Sequence, residues 1–258
     1  MKTLKQHINE WKINDKSVKN IDNQQYFIYK PDNDGRIKVF SSDWKLYYQY
    51  IYKVKVNGQY VDIDDGYIVN SYDPGIYKIE IDDINNVNDC FCMFNECKTL
   101  IEIPMFDTSK VKNMERMFSY CVSLKIIPYL NTKSVKNMIE TFYRCLSLET
   151  IPHFDFSSVE DTTRLFSNST NIKHLPTFNL NNCVDATAMF GNLSKVKKIK
   201  IINANKLNRT VAMFQGCSGL EDVSLFDISN VRDTRDMFYG CNKLSEQTIK
   251  NWSAFYEF

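Results

Sequence analysis

The chain has 258 residues, a formal net charge of +1, 24% charged and 43% hydrophobic residues, and eight cysteines. So even a balance provides no global field to recruit nucleic acid or an anionic membrane. No stretch approaches the ~18 consecutive apolar residues of a membrane-spanning helix, and the length suits one elongated domain with a small second unit.

In chain order, the first predicted element is a short helix. Thr3 and Gln6 have capping-box spacing, and Leu4, Ile8 and Trp11 share one face. From Tyr26 the pattern changes to short β-type segments at Tyr26 to Tyr29, Ile37 to Phe40, Tyr52 to Val56, Tyr60 to Ile63 and Tyr77 to Ile81. Asn57-Gly58 between two of them is a type I′ hairpin signal. Residues 1–75 are therefore expected to form a small α+β unit that caps the remainder of the chain, with no linker between the two. Ile79, in phase with Ile103, is expected to place the last of these strands within the next unit.

From there a period of 24 residues governs the chain. Phe94, Phe118, Phe142, Phe166, Phe190, Phe214 and Phe238 stand in register. A fixed period of this length marks stacked units, none of which buries its apolar face without neighbours. Further columns keep the same phase. Cys97, Cys121, Cys145, Ser169, Leu193, Cys217 and Cys241 form one. Leu100, Leu124, Leu148, Ile172, Val196, Leu220 and Leu244 form a second, and Ile103, Ile127, Ile151, Leu175, Ile199 and Val223 a third. Others run through Val87, Val111, Val135, Val159, Cys183, Leu207 and Val231, and through Phe106, Leu130, Phe154, Phe178, Ile202 and Phe226.

Within a repeat, Val111, Met114, Met117, Phe118, Cys121 and Leu124 have the three-and-four spacing of a helical face. Leu100 to Met105 is short and Ile-rich, as a strand, and Pro104, Pro128, Pro152 and Pro176 fall at its end, where no ladder hydrogen bond is lost. The expected architecture over 76–244 is an α/β solenoid, a right-handed stack of seven strand-helix layers with a parallel sheet on one side. Residues 245–258 are expected to close it: Ser245 caps a helix whose Ile249, Trp252, Phe255 and Tyr256 cover the last layer.

The runs Phe106-Asp107-Thr108-Ser109-Lys110-Val111 to Met117-Phe118-Ser119-Tyr120-Cys121-Val122-Ser123-Leu124, and Phe226-Asp227-Ile228-Ser229-Asn230-Val231 to Met237-Phe238-Tyr239-Gly240-Cys241-Asn242-Lys243-Leu244, resemble the BspA-type leucine-rich repeat proteins. The likeness is to their FDTSxVxxMxxMFxxCxxL branch of unknown function. It spans about residues 76 to 244 and implies a repeat fold used for binding, with surface adhesion the role usually proposed for bacterial members. It implies no catalytic residues. The repeat from Cys183 to Lys206 departs from the pattern, lacking both ladder Cys and Pro.

The register also accounts for most of the thiols. Five cysteines lie in the ladder, and Cys90 and Cys183 occupy inward columns, leaving Cys92 without a place. Free buried thiols are expected, because a disulfide needs Cβ atoms within roughly 3.5–4.5 Å and the spacings are not those of a zinc site. With thiols of this kind, and with a first segment lacking the apolar run of a signal peptide, the expectation is a cytoplasmic protein, although the family resemblance leaves surface display open.

Columns free of packing carry the candidate binding residues. One strand-face column reads Lys78, Glu102, Ile126, Thr150, His174, Lys198 and Asp222; its neighbour reads Met105, Tyr129, His153, Thr177, Ile201 and Leu225. Tyr129, His153 and His174, with the basic cluster Lys195, Lys197, Lys198 and Lys200, form the candidate patch for a protein partner. The alternative for the lysines is simple solvation of an irregular repeat. No carboxylate or Cys is placed by register to complete a triad or metal site with the histidines, and there is no Gly-rich phosphate loop, so neither catalysis nor a cofactor is expected. Two other functions stay open: an exported adhesin or host-interaction protein, and single-stranded nucleic-acid binding by the exposed aromatics of residues 26–60.

Overall fold

The computed structural model describes residues 26–47 and 53–253. The expected helix at Thr3 to Trp11 lies outside them, as do Phe255 and Tyr256.

The N-terminal unit is built on an antiparallel sheet. Strands β1 (Phe27–Tyr29), β2 (Val54–Val56), β3 (Gln59–Val61), β6 (Tyr77–Ile81) and β7 (Leu100–Glu102) lie in the order β3-β2-β6-β1-β7. The short pair β4 (Ile63–Asp64) and β5 (Tyr67–Ile68) and the helix α1 (Ser42–Tyr47) complete it. Asn57 and Gly58 both have positive φ, 50° and 79°, as the hairpin between β2 and β3 requires. The expected strand at Ile37 to Phe40 is reduced to a bridge between Lys38 and Tyr67. β6 does not stack on the strand one period later. β1 lies between β6 and β7, antiparallel to both, so the in-phase Ile79 belongs to the N-terminal sheet. The solenoid's first strand edge is thereby paired, and Phe27 and Phe40 pack on Phe94 at ring separations of 5.4 and 6.0 Å.

Beyond β7 the period of 24 becomes a stack of layers, but the predicted helix in each layer is absent among the described residues. The segment takes successive turns instead. Within a layer, the Met117, Ser119, Cys121 and Leu124 N–H groups donate three residues back, to Met114, Arg116, Phe118 and Cys121. The intervening Met114, Arg116, Phe118 and Tyr120 N–H groups donate across to the Asn137, Ile139, Thr141 and Tyr143 carbonyls of the next layer, at 2.8–2.9 Å. An α-helix would spend all these donors internally. Left-handed residues at Arg116 and Tyr120, φ 54° and 59°, break the helical path, and their counterparts Glu140, Arg144, Arg164 and Asn168 do the same. The turns keep the apolar residues at three-and-four spacing while alternate amides tie layer to layer.

The strand side is thinner than expected. Parallel pairing there is confined to short pieces, Lys198–Ile199 with Asp222–Val223, Phe178–Asn179 with Ile201–Ile202, and single bridges at Glu102 with Ile126 and Thr150 with His174. A further line of parallel bridges runs through Asn113, Asn137, Asp161, Asp185, Arg209 and Asp233.

The Phe column is the axis of the core. Adjacent rings from Phe94 to Phe238 sit 5.3–6.2 Å apart and within 17° of parallel. Beside it, the Cys121, Cys145, Cys217 and Cys241 thiols donate to the carbonyls of Phe94, Phe118, Phe190 and Phe214 in the preceding layer, at 3.0–3.2 Å. Ser169 fills the same place with a 2.6 Å bond to the Phe142 carbonyl. Cys92, with no place in the sequence columns, is buried at the left-handed position occupied one layer later by Arg116. One inward column, Thr108, Thr132, Phe156, Leu180, Ala204 and Ile228, is not among those the sequence pattern predicts. Its mixture of threonine with apolar residues concealed it; Thr108 and Thr132 bury their hydroxyls by donating to the Asn131 and Asp155 carbonyls.

The irregular repeat slips register. Ile201, not Ile202, pairs with Phe178 and faces inward; Ile202 is 40% exposed. Lys200 stands where the four preceding repeats have proline, and Asn203 restores the phase in a left-handed conformation, φ 53°. Ile201 therefore leaves the outward column and Ile202 the inward one. At the far end Ser245 caps the helix α2 (Glu246–Ser253) through the Thr248 N–H, and Trp252 covers Phe226 and Phe238 at 4.7 and 5.6 Å.

Candidate interaction surface

Once the inward columns are assigned, the outward ones are arranged by the layer spacing. A residue and its counterpart 24 positions on lie in adjacent layers, close enough for side chains to pair. Lys173 bonds Glu149 at 2.8 Å, Lys197 lies 3.6 Å from Glu221, and Lys198 lies 3.6 Å from Asp222. Lys195 donates to the Asn171 side-chain oxygen. Glu149 is held below the usual carboxylate range, chiefly by the hydrogen bond from Lys173. These pairs are solvent-exposed and contribute little to stability. Their role is to fix where charge is presented.

The predicted patch divides into two places. Tyr129 is half-buried in a hollow of about 310 Å³ lined also by Asn85, Met105, Asp107 and Asn131. Burial, with a smaller contribution from Asp155, raises its hydroxyl pKa. His174, Lys195, Lys197 and Lys198 line a second, larger cleft of about 750 Å³. His153 and Lys200 are exposed and line neither. His174 is held in the sheet by its bridge to Thr150.

Five residues that line the larger cleft are missing from the predicted patch, Leu175, Ser194, Lys173, Gly219 and Lys243, and the last three matter for its charge and shape. The signal for these three was available in the period, since Lys173 precedes Lys197 by one repeat and Lys195, Gly219 and Lys243 succeed one another at 24-residue steps. Gly219 belongs there for a steric reason. A Cβ at this position would come within 2.2 Å of the Ser194 carbonyl oxygen, so only glycine permits the layers to approach. Among the described residues no group of three or more His, Cys, Asp or Glu side chains is placed to hold a metal ion. No helix among them is long and apolar enough to cross a membrane.

The model of a family described as "Mycoplasma protein of unknown function, DUF285" matches residues 88–204 and 173–255. Among solved structures, the crystal structure of a leucine-rich repeat protein from T. pallidum (TpLRR) is similar in fold, with a TM-score of 0.52. It is 17% identical, and the match covers 68% of this chain and 79% of that one. At such identity the likeness shows the fold alone. No curated protein matches the sequence.

Proposed function

The chain belongs to the family described as Mycoplasma protein of unknown function, DUF285, and on that premise we propose that it is a non-enzymatic protein-interaction module, binding a protein partner through the outward columns of its strand side. The observation that carries this reading is the division of labour between columns. The inward positions are spent on the Phe axis and the thiol ladder, whereas Tyr129, His153, His174 and the lysines of residues 195–200 vary in chemistry from layer to layer. A face several layers long at ~4.8 Å per strand has the dimension of a protein-binding surface. The leucine-rich-repeat-like fold supports the same use. Eight buried free thiols support placing the protein in a reducing compartment.

Site-specific crosslinking tests the reading. A photoreactive phenylalanine analogue replacing His174 or His153 is expected to capture a discrete partner in the native cell, and the same group replacing Tyr143 on the turn side is not. Equal capture from both sides, or capture from Tyr143 alone, would contradict the assignment.

A further inference from the structure

The larger cleft carries an excess of positive charge in one column. Lys173, Lys197 and Lys198 are each opposed by a carboxylate of an adjacent layer, Glu149, Glu221 and Asp222. Lys195 and Lys243 are not: neither has a carboxylate within ion-pair distance among the described residues, and Lys195 donates to the neutral Asn171 amide while acting on Glu149 only as a weaker, longer-range charge than Lys173. Both line the cleft, and Gly219 lies between them in the same column. Gly219 packs its α-carbon against the Ser194 carbonyl and places no side chain between the two lysines. Two layers separate them, about 10 Å at the usual ~4.8 Å strand spacing.

We propose that this cleft receives an extended acidic peptide segment of a protein partner, its carboxylates meeting Lys195 and Lys243 on either side of Gly219. The proposal rests on the interaction-module reading and adds the partner's chemistry. Acidic side chains on one face of an extended segment recur every ~6.7 Å, and flexible lysine stems adapt that repeat to the separation of the two ammonium groups. A nucleic-acid strand fits less well. Its unbroken row of phosphates would run against Glu149, Glu221 and Asp222, and the cleft offers the single His174 ring where a strand needs successive aromatic faces for stacking. A peptide places neutral residues opposite those carboxylates and charge only where lysine is unopposed.

The test is fluorescence anisotropy with the full chain and a labelled peptide alternating Glu or Asp with Ser, beside its Gln and Asn counterpart and an oligothymidylate of equal length. The wild type is expected to bind the acidic peptide and not its amide form, with affinity falling at least about tenfold in the Lys195→Gln/Lys243→Gln double variant. A Lys110→Gln/Lys133→Gln control, away from the cleft, should bind like wild type. Equal binding by the cleft variant, no binding of the acidic peptide up to about 1 mM, or tighter binding of the oligothymidylate would overturn the proposal. If the acidic peptide fails while crosslinking from His174 still captures a partner, the assigned chemistry falls and the interaction-module reading stands.

Discussion

Phe142 shows how a single residue type holds this molecule together. Its ring lies 5.6 Å from both Phe118 and Phe166, nearly parallel to each, and is 1% exposed. Phe142→Ala should therefore destabilise the protein by about 3–5 kcal/mol, as a cavity between two layers that cannot collapse onto one another. A loss below about 1 kcal/mol in a denaturant melt would mean that the column does not form the axis. The Phe column was legible from spacing alone, because nothing but stacking explains one aromatic every 24 residues. Ile201 and Ile202 were not: both are apolar, and only the backbone path after Lys200 decides which faces inward. The Thr108 and Thr132 column was hidden for a related reason, since a buried threonine is revealed by the carbonyl it reaches and not by its polarity.

At the scale of the element, the turns between Asn113 and Leu124 replace a predicted helix. Three-and-four spacing of apolar residues is shared by a helix and by consecutive turns, so hydrophobic pattern could not separate them. The distinguishing signal is the left-handed residue. In the early layers Arg116, Tyr120, Glu140 and Arg144 occupy those positions and conceal them, whereas Asn168, Asn192, Gly216 and Gly240 show the expected preference. Ala212 is a direct test. At φ 54° an alanine bears a left-handed cost of ~1–2 kcal/mol, part of which glycine loses again to unfolded-state entropy. Ala212→Gly is expected to raise the denaturant midpoint, by up to about 1 kcal/mol in stability. In a helix the same change would destabilise by about 1 kcal/mol, and that result would restore the helical reading.

The same turns explain why the strand side is thin. Each junction between layers is already made by alternate amides, so lateral pairing near Glu102, Thr150 and Lys198 needs only isolated bridges and short strands. Of the candidate surface, the lysine run at 195–200 was legible because it is contiguous. Lys173, Gly219 and Lys243 were not, because they join the cleft through the period, and the carboxylates that neutralise its other lysines lie one layer away in the same columns.

Across the whole molecule, the stack carries a series of buried thiols whose protonation is tied to folding. Burial raises Cys92 and Cys183 to about 12 from an ordinary value of 9.0, and raises Cys90, Cys97, Cys121 and Cys145 as well. Cys241 shifts the other way, lowered by the neighbouring Cys217 thiol. A raised folded-state value means that the folded chain keeps protons the unfolded chain releases. The associated stability is therefore whole below about pH 9 and is lost as pH rises towards 12. Thiolate absorbance measured alongside denaturant midpoints should show the raised thiols, all those named except Cys241, silent to pH 9 and ionising together with unfolding. Thiolates beyond that of Cys241 appearing in the folded protein near pH 9, with no change in stability, would contradict a buried ladder.

The ends of the stack are closed by the same aromatic chemistry that fills it, Phe27 and Phe40 on the first ring and Trp252 on the last. That leaves the lateral surface for function, and the strand side presents its most varied columns. The most direct measurement is a tagged pull-down from the native cell with mass spectrometry, comparing wild type with a combined Tyr129→Ala, His174→Ala and Lys198→Ala variant verified to have equal stability. The account predicts a partner recovered with wild type and lost with the variant; recovery at wild-type levels with the variant would contradict it and move the working surface to the N-terminal unit.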